Sequence, residues 1–427
     1  MQDLRDLQSQ FLVRVLVDTV SYTSPVNFVD AANSPRHRWF PYKEGFSPNF
    51  IDSIIFENHL TKDAVIFDPF SGVGSTCLAS VLSGRSAIGV EISPLAHFVA
   101  STKSIASSRV DTSEISQAIS DLKKFKAGGM ASPPENETVK RYFQKSVFDA
   151  ILEVKFLASG FSPPTNGLVK LALLSALETV STHRRAGNGV KRKPSHQQEL
   201  SSSQARHLVF GEVSARLELM VRDVELSVVS EEPWLILGSS LEKSLIDSLP
   251  DVDCVITSPP YPNCFDYSKI YQRELWLGDF FAHVSDQRMF RDASVQSHVH
   301  ATWKRQSSNS GSRLVNESIA PYLENLNLWS ERIPKMLRNY FNDLGSCLIG
   351  VSRKLRIGGT CNFVVGNAHY GDVPVPTDLL LAEMALGIGF DVERIDVYRK
   401  IVPSAQYLRT GSTLEWARES NVILRRR

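Results

Sequence analysis

The chain has 427 residues, 42% hydrophobic and 22% charged, with 24 glycines and 21 prolines, a composition that excludes collagen-like and largely disordered classes. At roughly 150 residues per domain, that length suggests two or three domains. The formal net charge is +1, so any site for a polyanion must come from local clustering of charge.

The first residues, MQDLRDLQSQFLVRVLV, carry acids ahead of a short apolar run and lack a basic leader. No stretch approaches the roughly 18 apolar residues of a membrane span, and a soluble, cytoplasmic protein is expected. Residues 46–57, FSPNFIDSIIFE, read as a helix start, with Ser47 at the N-cap and Pro48 in the first turn. AVIF at 64–67 is a buried-strand run ending in DPFSGVGST, followed by a helical stretch through Leu82, and SAIGVEI at 86–92 is a second strand. Strand, glycine turn, helix and strand open a doubly wound α/β sheet.

From about Ile105 to Glu232 helical patterns alternate with polar stretches, and HRRAGNGVKRKPSH at 183–196 is the densest basic run. Strands resume at WLIL (234–237) and DCVIT (253–257). A polar stretch at 283–317 precedes a helical region from Ile319 to Leu355. GTCNFVVGN, FDVERIDVY and SNVILRR then read as closing strands, with a helix at PTDLLLAEMALG. The economical organisation is one α/β domain, residues 1–104 and 233–427, split by a mostly helical insertion at 105–232, with a polar loop at 283–317.

The glycine turn narrows the ligand. A phosphate-gripping loop needs lysine after its last glycine, whereas Gly74 is followed by Ser75 and Thr76; the dinucleotide fingerprint needs a third glycine where Cys77 stands. Asp68 lies just before the turn and Glu91 at the tip of the next strand, the usual place for a carboxylate that takes two ribose hydroxyls. An acid beside the turn suits a ligand with an amino group better than a pyrophosphate. S-adenosylmethionine has an ammonium, a sulfonium and a ribose, and no phosphate.

TSPPY at 257–261 follows an apolar strand, and its two prolines stop the ladder and stiffen the loop. Ser258, the Pro259 carbonyl and the Tyr261 ring form a rigid row with Pro260. Acceptors that hold the hydrogens of an exocyclic amine favour a pyramidal nitrogen whose lone pair faces a methyl donor. Stacking on Tyr261, worth roughly 1–3 kcal/mol, is comparable with the cost of extruding a base.

Together, DPFSGVGST, Glu91 and TSPPY resemble the amino-methyltransferases that modify DNA on cytosine N4 or adenine N6. The serine form of the second motif is most typical of the cytosine enzymes. The resemblance covers about residues 36–104 and 233–427. It implies a Rossmann-like S-adenosylmethionine-dependent methyltransferase with a mainly parallel seven-stranded sheet. It also implies a cofactor site lined by Asp68, Phe70, Gly72 and Gly74, Glu91 on the ribose, the FSP segment near Ser47 at the methionine end, and a catalytic loop of Ser258, Pro259, Pro260 and Tyr261. Ser239 departs from the pattern, because many relatives carry an acid there that touches the adenine. By family analogy the substrate is double-stranded DNA and the partner a restriction endonuclease or other defence proteins. Adenine as the target, RNA as the substrate, and a DNA-binding protein without turnover stand as alternatives.

For contact with the DNA backbone, Arg184, Arg185, Lys191, Arg192 and Lys193 each offer a cation to a phosphate, against the reading of a solvated loop. Arg288, Arg291, Trp303, Lys304, Arg305 and Arg313 in the 283–317 stretch are the rival set for target recognition. The five cysteines (Cys77, Cys254, Cys264, Cys347, Cys361) form no CxxC pair, which fits free thiols in a reducing compartment. Cys264, near the TSPPY loop, reads as a packing residue and not as a nucleophile for carbon methylation. His298 and His300 lack companions for a metal, so no metal site is expected. The terminal Arg425–Arg427 run reads as a solvated tail.

Overall fold

The structure is a computed structural model describing residues 2–17, 19, 26, 30–42, 45–187, 189–194, 198–302, 315–324, 328–371, 373–401 and 414–427. Among these, eight strands form the main sheet. They are β1 (Val13–Val15), β2 (Val65–Asp68), β3 (Ser86–Glu91), β4 (Trp234–Leu237), β5 (Val252–Thr257), β6 (Leu355–Gly366), β7 (Phe390–Lys400) and β8 (Arg418–Arg426). The order is β1-β7-β8-β6-β5-β2-β3-β4. β8 runs antiparallel to both neighbours and every other pair is parallel. The mainly parallel α/β sheet is therefore present, with β1 added beyond the seven strands expected. Its three residues are mostly exposed and have no apolar period to reveal them.

Ten helices carry the argument: α1 (Pro48–Glu57), α2 (Ser75–Leu82), α3 (Pro94–Lys103), α4 (Thr112–Lys123), α5 (Lys145–Ser159), α6 (Thr165–Val180), α7 (Ser202–Leu226), α8 (Val284–Ala293), α9 (Ile333–Lys354) and α10 (Thr377–Ile388). Strand side chains alternate between faces. Ile66, Cys254, Ile256 and Val364 thus pack under α1 with Phe50, Ile51 and Ile54. Phe67, Val255, Phe363 and Val365 point the other way, onto α9 and α10 through Phe341, Leu344, Leu348 and Leu380. A sheet covered on both faces needs strands apolar throughout, which is why they read as unbroken runs.

The insertion helices α4–α7 share a core, with Ile115, Ile151, Leu174, Val213 and Leu217 fully buried. That core continues into Leu95 and Val99 of α3 and into Trp276, so the insertion is packed onto the sheet domain along one apolar surface. The basic run at 183–196 is not a plain loop. It contains an antiparallel hairpin, His183–Ala186 with Gly189–Arg192, turning at Gly187 in the left-handed region (φ 56°). The stretch from 283 is likewise not wholly a loop, because α8 occupies its first part; Trp303, Lys304, Arg305 and Arg313 lie outside the described residues. Nor is the C-terminal arginine run a tail: Arg425 and Arg426 belong to β8, and Arg427 pairs with Asp391 at 2.8 Å. No helix among the described residues is long and apolar enough to cross a membrane.

One buried carboxylate binds the insertion to the segment ahead of α1. Asp223 near the end of α7 is fully buried and accepts from Arg36 N (3.0 Å), Arg38 Nε (3.0 Å) and Trp39 Nε1 (2.9 Å). Removing one partner of a buried ion pair leaves the others desolvated and unpaired. Asp223→Ala is expected to cost about 3–5 kcal/mol in urea unfolding. A loss below about 1 kcal/mol would mean that Asp223 does not fasten the two parts together.

Candidate active site

Strand order reverses between β2, which is followed by β3 and β4 on one side, and β5 on the other. Ligands of open α/β sheets bind at such a switch point, beyond the carboxyl ends of the strands. There the segments after β2, β3, β4 and β5 surround a solvent-open cleft of about 660 Å³. Phe70, Gly72, Glu91, Ser239, Ser258 and Pro260 line it, with the rings of Tyr42, Tyr267 and Phe290. The glycine turn and the TSPPY loop thus face one cavity.

Asp68 ties the two loops together from behind. It is buried and accepts from the hydroxyl of Thr257, the last residue of β5, at 2.7 Å and from Phe70 N at 3.0 Å. Burial pushes its carboxyl up to about 6 against the pull of these donors. Gly72 and Gly74 are both left-handed (φ 51° and 77°). A Cβ on Gly74 would stand 2.8 Å from Ala100 Cβ, so the turn lies directly on α3. Glu91 lines the cleft, and its oxygens accept from Gly72 N and Ser93 N, each at 2.7 Å. Burial raises this carboxyl to about 7. Each oxygen keeps a lone pair directed elsewhere, which is what two ribose hydroxyls require.

In the TSPPY loop Ser258 Oγ donates to the Val364 carbonyl at 3.0 Å. Tyr261 is half-buried, and its hydroxyl donates to Glu419 Oε1 at 2.6 Å. Glu419 is itself buried on β8 and takes Arg399 Nε at 2.6 Å. Burial and the Glu419 charge hold the phenol far above its ordinary range, so it stays a neutral donor. Gly366 on β6, paired with Glu419 across the sheet, leaves room for the ring: a Cβ there would meet two Tyr261 ring carbons at 2.6 Å. Sequence reasoning missed Thr257, Gly366, Arg399 and Glu419. Thr257 was the one within reach, as a strand-end hydroxyl beside the motif.

The remaining expected residues divide. Phe70, Gly72, Glu91, Ser258 and Pro260 line the cleft, whereas Asp68, Gly74, Pro259 and Tyr261 are not among its lining residues. Ser47 occupies the N-cap position of α1 but makes no capping bond; its hydroxyl is fully buried and donates to Asp30 Oδ2 at 2.8 Å. Among the basic residues, Arg184, Lys191 and Arg192 are exposed. Arg185 is a correction. It is buried in ion pairs with Glu178 (2.7 Å) and Glu274 and lies over the Tyr271 ring, so it serves the fold and offers nothing to a phosphate. Lys193 is half-committed, donating to the carbonyls of Glu178 and Thr179. Arg291 pairs with Asp266 at 2.8 Å, leaving Arg288 exposed on α8. The Cys264 thiol lies 3.6 Å from Met336 Sδ and is pushed up by burial.

A parallel sheet with one antiparallel strand near its end, a glycine turn at the switch point and an acid on the next strand tip are the features expected of an S-adenosylmethionine-dependent methyltransferase. Residues 21–100 match the family model described as DNA methylase, of the N6/N4 type. The chain is 25% identical over 407 residues to the Type II methyltransferase M.AvaI of Nostoc sp., covering 87% of this chain and 82% of that relative. It is 25% identical over 419 residues to the Type II methyltransferase M.BsoBI of Geobacillus stearothermophilus, covering 86% and 80%. Among solved structures, TrmN from Thermus thermophilus matches with a TM-score of 0.31 and 9% identity, over 94% of this chain and 53% of that one. These similarities support an S-adenosylmethionine-dependent DNA methyltransferase of the amino-methylating type.

The crowding at Gly366 can be tested directly. Gly366→Ala should push the Tyr261 ring out of register, lowering methyl transfer to DNA tenfold or more with an unchanged circular dichroism spectrum. Full activity in that variant would show that the ring's position against β6 is immaterial.

Proposed function

We propose that the protein is a Type II modification enzyme that extrudes a cytosine from double-stranded DNA and methylates its N4 amine. The observation that carries this reading is Ser258, a serine at the head of the PPY row, lining the cleft together with Gly72 and Glu91. S-adenosylmethionine, when bound, supplies a methyl group already activated on sulfur.

The chain's own residues then have the work of holding an amine. Ser258 donates its hydroxyl hydrogen bond to the Val364 carbonyl, which leaves its oxygen lone pairs for an amine hydrogen of the base. With that hydrogen held out of the ring plane, the nitrogen lone pair turns toward the donor. Tyr261 is fixed at its hydroxyl by Glu419 and along its ring by Gly366, so a base that stacks on it meets a surface already ordered. Such preorganisation offsets part of the few kcal/mol that extrusion costs. Glu91 receives the ribose, and Asp68 supports the turn from below.

For the duplex, the exposed Arg184, Lys191 and Arg192 on the insertion hairpin suit backbone phosphates. Arg184 and Lys191 are direct cross-strand partners and share one face. The relatives' description as Type II methyltransferases supports a modification role beside a restriction endonuclease.

Two measurements test this reading. Nucleoside mass spectrometry after incubation with duplex DNA and S-adenosylmethionine should give N4-methylcytosine; N6-methyladenine alone would assign the enzyme to adenine. The second addresses Glu91. Because its raised pKa lies at about 7, the carboxylate that accepts ribose hydroxyls is lost as pH falls through that value. Affinity for 5′-deoxy-5′-methylthioadenosine, which has the ribose and no amino-acid portion, is therefore expected to rise from pH 6 to 8. Glu91→Gln should flatten the profile, and a flat wild-type profile would remove Glu91 from the ribose.

A further inference from the structure

The cleft has a wall that neither the glycine turn nor the TSPPY loop supplies. Tyr267, Phe290, Ser294 and Val295 line it together with Ser258 and Pro260. Tyr267 opens a short helical turn (Tyr267–Ile270) just beyond the TSPPY loop, and Phe290 belongs to α8. A surface helix normally docks by burying an apolar stripe. α8 has little such grip: none of its ten residues is buried, and Phe290 meets Phe281 with ring centroids 6.0 Å apart.

Its fastening is polar and centres on Asp266. This carboxylate is 4% exposed; it accepts from Ser268 Oγ at 2.6 Å and pairs with Arg291 Nη2 of α8 at 2.8 Å. Arg291 Nε also donates to Ser268 Oγ at 2.9 Å. Gln287, one turn earlier on α8, donates from Nε2 to the same oxygen at 3.2 Å and to the Ser268 carbonyl at 3.3 Å. Burial works to raise the Asp266 carboxyl, but the Ser268 hydroxyl and the Arg291 charge outweigh it and hold the group below its ordinary range, as a carboxylate. Two further ties of α8, His283 to Glu135 and Asp292 to Thr302, are solvent-exposed and correspondingly weak. Phe290 adjoins Arg291 in the helix, and Tyr267 stands between Asp266 and Ser268 in the chain. Both rings of the wall are therefore set by one clamp.

We infer that Asp266 is a positioning residue for methyl transfer: by clamping Arg291 and Ser268 it fixes the Tyr267 and Phe290 rings as the wall that confines the acceptor base beside Ser258. The inference rests on the reading of the cleft as the meeting place of donor and extruded base. Asp266 does not line the cleft and acts only through its neighbours. Transfer needs the reacting atoms held about 3–3.5 Å apart and aligned. A wall that shifts with α8 admits the base in poses outside that range. The clamp bonds to none of Phe70, Gly72 and Glu91, so slackening it costs turnover and spares the cofactor.

Steady-state kinetics on long duplex DNA, with S-adenosylhomocysteine binding followed by calorimetry, tests this. Asp266→Asn and Arg291→Met open the clamp from its two sides. Each is expected to lower kcat about tenfold or more and to change S-adenosylhomocysteine affinity by less than about twofold. The double variant should lose no more than the worse single one, as two partners of one unit do. A wild-type kcat in Arg291→Met overturns the inference, and so do losses that add in full in the double variant. Equal loss of turnover and cofactor affinity overturns it in favour of a purely structural role for Asp266. The Arg291 side chain is 23% exposed, on the outer side of the clamp, so Arg291→Met decides the question if Asp266→Asn fails to fold. Wild-type protein that binds S-adenosylhomocysteine but methylates no duplex DNA would instead bring down the reading of the cleft, and this inference with it.

Discussion

The hydrogen bond between the Thr257 hydroxyl and the Asp68 carboxylate, 2.7 Å long and buried, holds the functional half of the molecule in register. β2 and β5 are parallel neighbours, so their carboxyl ends release the glycine turn and the TSPPY loop on the same side. Neighbouring strands do not by themselves fix two loops to within a fraction of an ångström. A carboxylate that accepts from Thr257 on one strand and from Phe70 N in the other strand's turn adds a direct tie between them. A cavity shared by donor and acceptor needs that accuracy, since a misplacement of about 1 Å can cost a hundredfold in rate.

Much of this architecture was legible because the residues responsible lie side by side in the chain. β2 to β5 emerge within a residue or so of their expected limits, as apolar runs ended by turn residues. The two motif loops declared themselves in the same way. What stayed hidden is what the fold assembles from afar. Glu419 and Gly366 meet Tyr261 only because β8 inserts antiparallel beside β6. Asp266 and Arg291 meet because α8 folds back onto the chain just beyond the TSPPY loop. Charge was misread for a related reason: Arg184 and Arg185 are adjacent in sequence, but a strand sends one to solvent and the other to Glu178 and Glu274.

The insertion helices are tied to the segment ahead of α1, although none of them lines the cleft. Asp223 on α7 fixes Arg36, Arg38 and Trp39. The same short stretch leads to Tyr42, whose ring lines the cleft. The hairpin bearing Arg184 and Lys191 is rooted in this helical body by Arg185.

Electrostatics differ on the two sides of the glycine turn. On the cleft side Asp68 and Glu91 sit above their ordinary values, about 6 and about 7, because burial has stripped solvent from carboxylates without supplying a cation. On the other side Lys103 sits at about 7 because burial has stripped solvent from an ammonium without supplying an anion. These are the same strain with opposite sign, separated by the width of the Gly72–Gly74 turn.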